Sequence, residues 1–319
     1  MKKRILVTDE LFISKSHEEE LFNRGFEVVR LNKISATEDE LIEALQNVNG
    51  YILGGIEIVS ERVIESTKHL EAIVFTGAGY KEFIPSYKLA TEKGIAIANA
   101  PGGNAASVSE YTLGLMIAMT RSMFTLGRTG ETEFMTTNTL SNMSIGIIGL
   151  GHIGLLLAKS LKSMGVLDVR YYSKTRHYEL EEGFGLYYDS MEEIFRRCDI
   201  ISIHVEKDAG DNFVSKNHLS IMKDNSILIN TSYAEAVDTD ALYLELKSER
   251  LKSAFDAPPK NKSFKSLPLS HWFASNLQTA YNTEKAIDTV NNMVVQSMIS
   301  LLTSGEDHFL VNPRYKDYK

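Results

Sequence analysis

Residues 145–165 read IGIIGLGHIGLLLAKSLKSMG, and the order of residue types in this stretch decides the fold. Ile145 to Ile148 is a short run of the kind that fills a buried strand. The turn Gly149-Leu150-Gly151-His152-Ile153-Gly154 follows at once, and Leu155 opens a helix. A GxGxxG spacing recurs by chance, but here it has the strand before it and the helix after it that its physics requires. Gly149 permits the tight turn, Gly151 lets a pyrophosphate approach the backbone, and Gly154 lets helix and strand pack closely. The phosphates would then sit at the helix N-terminus. The stretch predicts a dinucleotide-binding loop in which His152 presents its backbone amide rather than its ring.

Further strand-like runs follow at DVRYY (168–172), DIISIHV (199–205), SILIN (226–230), KSAFD (252–256) and HWFAS (271–275). An earlier series comprises RILVT (4–8), FEVVRL (26–31), YIL (51–53), AIVFT (72–76) and IAIA (95–98), separated by polar helix-like segments such as TEDELIEALQ (37–46). This βα repetition predicts an α/β fold with two doubly wound parallel sheets. Between the series lies APGGNAASVSEYTLGLMIAMTRS (100–122), where Asn104 is positioned to cap a helix. Val108, Tyr111, Leu115 and Met119 then recur at three and four residues. We expect a long amphipathic helix that crosses between the domains. Ile287, Val290, Val294, Met298 and Leu301 predict a second one over 282–303, returning the chain to the first domain. The expected domains are 1–99 with 282–319, and 100–281.

A chain of 319 residues, 43% of them hydrophobic, is long enough for two such cores. The net charge of -8, with no basic block beyond Lys2-Lys3-Arg4, argues against nucleic acid and anionic membranes as partners and for a small molecule. The longest clean apolar run, Leu113 to Met119, is too short to span a bilayer. Strand-like ILV follows the N-terminal basic residues directly, where a signal peptide would have an apolar segment, so a cytoplasmic protein is expected. The single Cys198 has no partner for a disulfide and no CxxC or Cys/His cluster around it; we read it as a small buried apolar residue, with no metal site.

After the strand DVRYY the sequence is Ser173-Lys174-Thr175-Arg176, with no carboxylate to take the ribose hydroxyls of NAD. A hydroxyl flanked by Lys and Arg suits a 2′-phosphate, which favours NADP(H) while leaving NAD(H) open. The alternative is a solvated charged loop.

With these residues in view, the chain resembles the D-isomer-specific 2-hydroxyacid dehydrogenases, the family of glyoxylate reductases and phosphoglycerate dehydrogenases. The resemblance rests on TGAGY (76–80), GIAIANAPGGNAASVSEYTLGLM (94–116), GIIGLGHIG (146–154), CDIISIHV (198–205), ILINTS with VDTDAL downstream (227–242), and SAFDA (253–257). It implies a flavodoxin-like substrate domain with an inserted Rossmann domain, and a homodimer formed through the latter. It implies cofactor contacts at Val108, His152, Ile153, Val205, Glu206, Thr231, Ser232, Tyr233 and Asp256, the last toward the nicotinamide carboxamide. It also implies substrate contacts at Ala78 and Gly79, where backbone amides would hold a carboxylate. Lys81 and Glu235 are further substrate candidates.

The family's catalytic set is where the resemblance breaks. Relatives use an Arg to grip the carboxylate, a His as proton donor and a Glu that raises the His pKa. This chain has Tyr233 at the Arg position; aligned on Thr283-Glu284-Lys285-Ala286 it has Gln278 at the His position; and five residues beyond Asp256, at the Glu position, it has Asn261. His271, seven residues before Gln278, lies at the opposite end of a strand. Three readings stay open. The protein is an oxidoreductase with a non-standard site, in which Tyr233 donates a proton once a cation lowers its pKa and Gln278 orients a carbonyl. The alternative for Tyr233 is an aromatic plug filling the former substrate pocket. Or the protein is a dinucleotide-binding pseudoenzyme, using cofactor occupancy to set domain closure or partner binding. Or it performs the ordinary family reaction with substitute residues.

Overall fold

The runs that read as continuously apolar are parallel strands covered on both faces. The computed structural model describes residues 2–8, 13–33, 35–129 and 135–319. The chain forms two compact units, Met1–Asn104 with Glu284–Lys319, and Ala105–Thr283.

In the first unit β1 (Arg4–Thr8), β2 (Glu27–Leu31), β3 (Gly50–Leu53), β4 (Ala72–Phe75) and β5 (Ala96–Ala98) form one parallel sheet in the order β2-β1-β3-β4-β5. Alternation along β1 explains why both faces are apolar. Ile5 and Val7 pack with Val290, Val294 and Met298 of the helix Glu284–Thr303, while Leu6 packs on the other face with Tyr51, Leu53 and Ile73.

The second unit holds β6 (Ile145–Ile148), β7 (Val169–Tyr172), β8 (Tyr187–Tyr188), β9 (Ile200–Ile203), β10 (Ile227–Asn230), β11 (Lys252–Phe255) and β12 (Trp272–Ala274). All are parallel, in the order β12-β11-β10-β9-β6-β7-β8. Ile145 and Ile147 face Leu157 and Leu161 of the helix His152–Ser163, and Ile148 faces Leu228 and Phe255 on the other side. The two residues of β8 are too few to leave a periodic signal in the sequence. Asp238 caps the helix Thr239–Lys247, its side chain accepting from the Ala241 amide at 3.0 Å.

The helix after Asn104 runs Ala105–Thr120, but it lacks the polar face expected of it. Val108, Thr112, Leu115 and Met119 are buried, and on the opposite side Leu113 and Ile117 also pack partly against the core, beside Phe124 and Met143. Such a helix is apolar nearly all round rather than amphipathic. Among the described residues, no helix is long and apolar enough to cross a membrane, and no group of three or more His, Cys, Asp or Glu could hold a metal ion. Cys198 is buried, and burial pushes its thiol pKa up to about 12.

Candidate active site

In the second unit the strand order reverses between β6 and β9, and open parallel sheets bind ligands at the carboxyl ends of the strands flanking such a reversal. The glycines of the loop after β6 have different reasons to be there. Gly149 has φ +99°, and a Cβ on it would lie 2.2 Å from the His204 carbonyl oxygen. A Cβ on Gly154 would lie 2.2 Å from the carbonyl oxygen of Gly149. The fold itself requires both. Gly151 differs: it has φ -81° and ψ -158°, and a Cβ there would meet nothing within 4 Å. No protein neighbour demands its missing side chain, so its space suits a ligand. The helix His152–Ser163 begins at this loop with His152 exposed, and its first-turn amides have no intrahelical partner.

Beside the loop lies a cavity of about 420 Å³. Gly149, Gly151, Ser173, Lys174, Thr175, Val205 and Glu206 line it, and the sequence named them all. It did not name Tyr172, His177, His204, Asp208 and Phe213, which also line it. Only His204 left a usable signal, since it sits between a strand and Val205. His204 Nε2 lies 2.8 Å from Ser202 Oγ, and burial lowers its pKa to about 3, so the ring is neutral.

Arg176 does not line the cavity. Its Nε and Nη2 donate to Glu181 Oε1 and Oε2 at 2.8 and 2.7 Å, and its guanidinium faces the rings of Tyr178 and Tyr188. Lys174 is 81% exposed, with its Nζ 3.8 Å from Asp208 Oδ2. Val108 also stays out of the cavity lining: its side chain is buried in the helix Ala105–Thr120, and its carbonyl accepts from Thr112 Oγ1 at 2.7 Å.

At the end of β11, Asp256 is 1% exposed. Its Oδ1 accepts from the amides of Thr279 at 2.9 Å and Ala280 at 3.1 Å, while Oδ2 is buried with no partner. Burial raises its pKa. A bare buried acceptor is costly, so this atom fits a ligand that brings an N–H, as a carboxamide does. Asn230, at the end of β10, shapes the adjoining loop. Its Oδ1 accepts from Ser232 N and Oγ at 2.9 and 2.7 Å, and its Nδ2 donates to the Tyr233 carbonyl at 2.9 Å. Thr231 is buried, its hydroxyl 2.9 Å from that of Thr112.

The sequence reading sets Tyr233, Gln278 and Asn261 against the family's Arg, His and Glu. The Tyr233 hydroxyl donates to the Gly210 carbonyl at 2.8 Å, and its ring packs against a core that includes Val237 and Leu242. Burial raises its pKa, and the carboxylates of Asp211, Asp208 and Glu235 add to the rise. The cation expected to make Tyr233 an acid is not among the groups that act on it; those groups are acidic. Glu235 pairs with Lys260 at 3.0 Å, a hydrogen bond that lowers the Glu235 pKa. Gln278 is exposed, with Nε2 3.5 Å from the Ser232 carbonyl. Asn261 caps a short turn over Lys262–Ser266, accepting from Ser263 N at 3.0 Å. His271 precedes β12 and bonds Ser270 Oγ at 2.9 Å, so the strand separates it from Gln278 beyond the far end.

In the first unit Ala78 and Gly79 are exposed at the carboxyl end of β4. Asn99 Nδ2 holds their loop through the Ala78 carbonyl at 2.8 Å, and a Cβ on Gly79 would meet nothing within 4 Å. Lys81 is exposed, its Nζ 6.0 Å from the centroid of the Tyr87 ring.

Comparison with known proteins agrees with this layout. The family model for the D-isomer specific 2-hydroxyacid dehydrogenase, NAD binding domain, matches residues 113–273. The D-3-phosphoglycerate dehydrogenase of Methanocaldococcus jannaschii is 28% identical over 289 residues, covering 86% of this chain and 54% of that one. The glyoxylate reductase of Thermococcus litoralis is 30% identical over 220 residues, covering 65% and 66%. The matches thus take in 54% and 66% of the lengths of these two relatives. The NAD+-bound 3-phosphoglycerate dehydrogenase of Entamoeba histolytica shares the fold with a TM-score of 0.82 at 22% identity, over 98% of this chain and 99% of that one. The family match spans the glycine loop, the cavity and Asp256, and it covers half of the chain: the protein belongs to the D-isomer-specific 2-hydroxyacid dehydrogenase family.

Proposed function

We propose that the protein is a nicotinamide-dinucleotide-dependent oxidoreductase acting on a carbonyl or hydroxyl carbon without the family's own proton-transfer set. The observation that carries this reading is Asp256 Oδ2, a buried acceptor with no partner at the place where the family holds the carboxamide of the nicotinamide. An acceptor kept for that group serves the redox end of the cofactor, whereas the glycine loop serves only its phosphates. The cofactor, when bound, supplies or takes up the hydride. Gly151 and the first turn of the helix His152–Ser163 would hold the pyrophosphate, the cavity would take the adenosine half, and Thr231 and Ser232 would lie on the nicotinamide side.

Proton transfer separates this protein from its relatives. Gln278 orients by hydrogen bonding but releases no proton, and Tyr233 already donates to Gly210. Losing a general acid costs about 100- to 10,000-fold in rate, so ordinary 2-keto acids are slow substrates here and the proton comes from water. Ala78, Gly79 and Lys81 are the substrate-contacting residues of this reading in the first unit. The unit with β1–β5 is its substrate domain, the protein works in the cytoplasm, and it is a homodimer through the second unit.

The test is Asp256→Asn. It keeps Oδ1 for Thr279 and Ala280 but turns the unpartnered acceptor into a donor. NADH affinity should fall about tenfold, with ADP-ribose, which lacks the nicotinamide, unaffected. Equal loss for both ligands would refute the role of Asp256. A second reading, a dinucleotide-binding pseudoenzyme, is favoured by the Tyr233–Gly210 bond. Cofactor binding without oxidation by any of a panel of 2-keto acids, aldehydes, keto-phosphonates and imines would select it.

A further inference from the structure

The turn after β7 reads in sequence as a 2′-phosphate site, yet each of its two cations faces a carboxylate. Arg176 is bound by both oxygens of Glu181 at 2.8 and 2.7 Å, and Lys174 stands 3.8 Å from Asp208. We propose that Glu181 and Asp208 set the cofactor selectivity: by pairing with Arg176 and Lys174 they neutralise this turn, so that the protein takes NADH at least as readily as NADPH. This rests on the dinucleotide-dependent reading above.

An adenosine 2′-phosphate carries about two negative charges at neutral pH and gains affinity only from cations that are not already compensated. The Arg176 pair is well held. Glu181 projects from the helix Tyr178–Phe184, and its Oε1 also accepts from the buried Tyr171 hydroxyl at 2.9 Å. That hydroxyl in turn accepts from the His177 amide at 2.8 Å, which ties the turn to the same anchor. To reach a phosphate, Arg176 would break two charge-assisted hydrogen bonds and leave its two aromatic neighbours. Lys174 is the weaker latch, being exposed and at the edge of ion-pair distance. Asp208 lines the cavity, as Arg176 does not, and offers the acceptor for ribose hydroxyls that the end of β7 lacks.

Titration of the full chain with NADH and with NADPH, read by nicotinamide fluorescence, tests this in wild type, Glu181→Gln and Glu181→Gln/Arg176→Ala. Glutamine keeps an acceptor for the Tyr171 hydroxyl. Wild type should bind the two within about threefold; Glu181→Gln should tighten NADPH about tenfold and leave NADH within about twofold; and adding Arg176→Ala should cancel that gain. A wild type that prefers NADPH by more than about threefold overturns the proposal, as does a Glu181→Gln variant with an unchanged ratio. If Glu181→Gln melts early, Asp208→Asn carries the test: NADPH should tighten and NADH weaken, and movement of both in the same direction overturns the proposal. Failure of wild type to bind either nucleotide overturns the dinucleotide reading itself, whereas NADH binding with no response to these substitutions overturns the selectivity proposal alone.

Discussion

Two alanine substitutions, three residues apart, should have opposite signatures if the glycine loop is a ligand cradle. At Gly154 the new Cβ would lie 2.2 Å from the Gly149 carbonyl oxygen, more than 1 Å short of ordinary contact, and that neighbour is backbone. The helix His152–Ser163 must shift away from the loop, so Gly154→Ala should lose about 1–3 kcal/mol of stability, as overpacked sites do. The shifted helix no longer presents its first-turn amides in line with the loop, so nucleotide affinity should fall as well. At Gly151 the added methyl meets nothing within 4 Å, and φ -81° with ψ -158° is open to any residue. Its only cost to the free protein is a poorer N-cap, about 1 kcal/mol or less. Yet a methyl there occupies the space a pyrophosphate would use, so NADH affinity should fall at least about tenfold while the melting temperature hardly moves. Thermal melting and fluorescence titration of both variants decide the matter. A Gly151→Ala protein that binds NADH and NADPH like wild type would refute the assignment of that space to the cofactor.

Other outcomes follow from the same geometry. Tyr233→Phe removes the hydroxyl bonded to Gly210 and should cost about 1 kcal/mol in denaturant titrations, with any turnover retained; collapse of turnover would show that the hydroxyl is the proton donor after all. The folded pKa of His204, about 3, lies below its ordinary 6.5. Between those values the unfolded chain binds a proton that the folded ring refuses, so this residue's contribution is present above pH 6.5 and lost as pH falls toward about 3. The loss reaches up to about 1.4 kcal/mol per pH unit, and His204→Gln should flatten the melting-versus-pH curve in that window; an unchanged slope would count against a neutral buried ring. Asp238→Ala should lower stability by about 1 kcal/mol through loss of the cap on Ala241, without affecting nucleotide binding.

The strands and the glycine loop were legible in the sequence because their causes are local. Apolar runs such as Ile145–Ile148 and Ile227–Asn230 state a buried strand by themselves, and Gly149, Gly151 and Gly154 state a turn that only glycine-like backbone geometry allows. Asp256 is legible as a residue that follows a strand, but its unpartnered Oδ2 is set by the packing around it. Side-chain commitments were not legible, because they are made with residues distant in sequence or on another element. Arg176 reads as a free cation until Glu181 is placed beside it, and Tyr233 reads as a candidate acid until its hydroxyl meets the Gly210 carbonyl amid three carboxylates. His204, Asp208 and Phe213 join the cavity only because the strand order brings the end of β9 against the loop after β6. The sequence by itself determined the sheets and the glycine loop, since these depend on residue type and short-range spacing. Which charges are free to meet a ligand was decided only by the tertiary structure, because an ion pair or hydrogen bond is a property of two groups and the fold chooses the second.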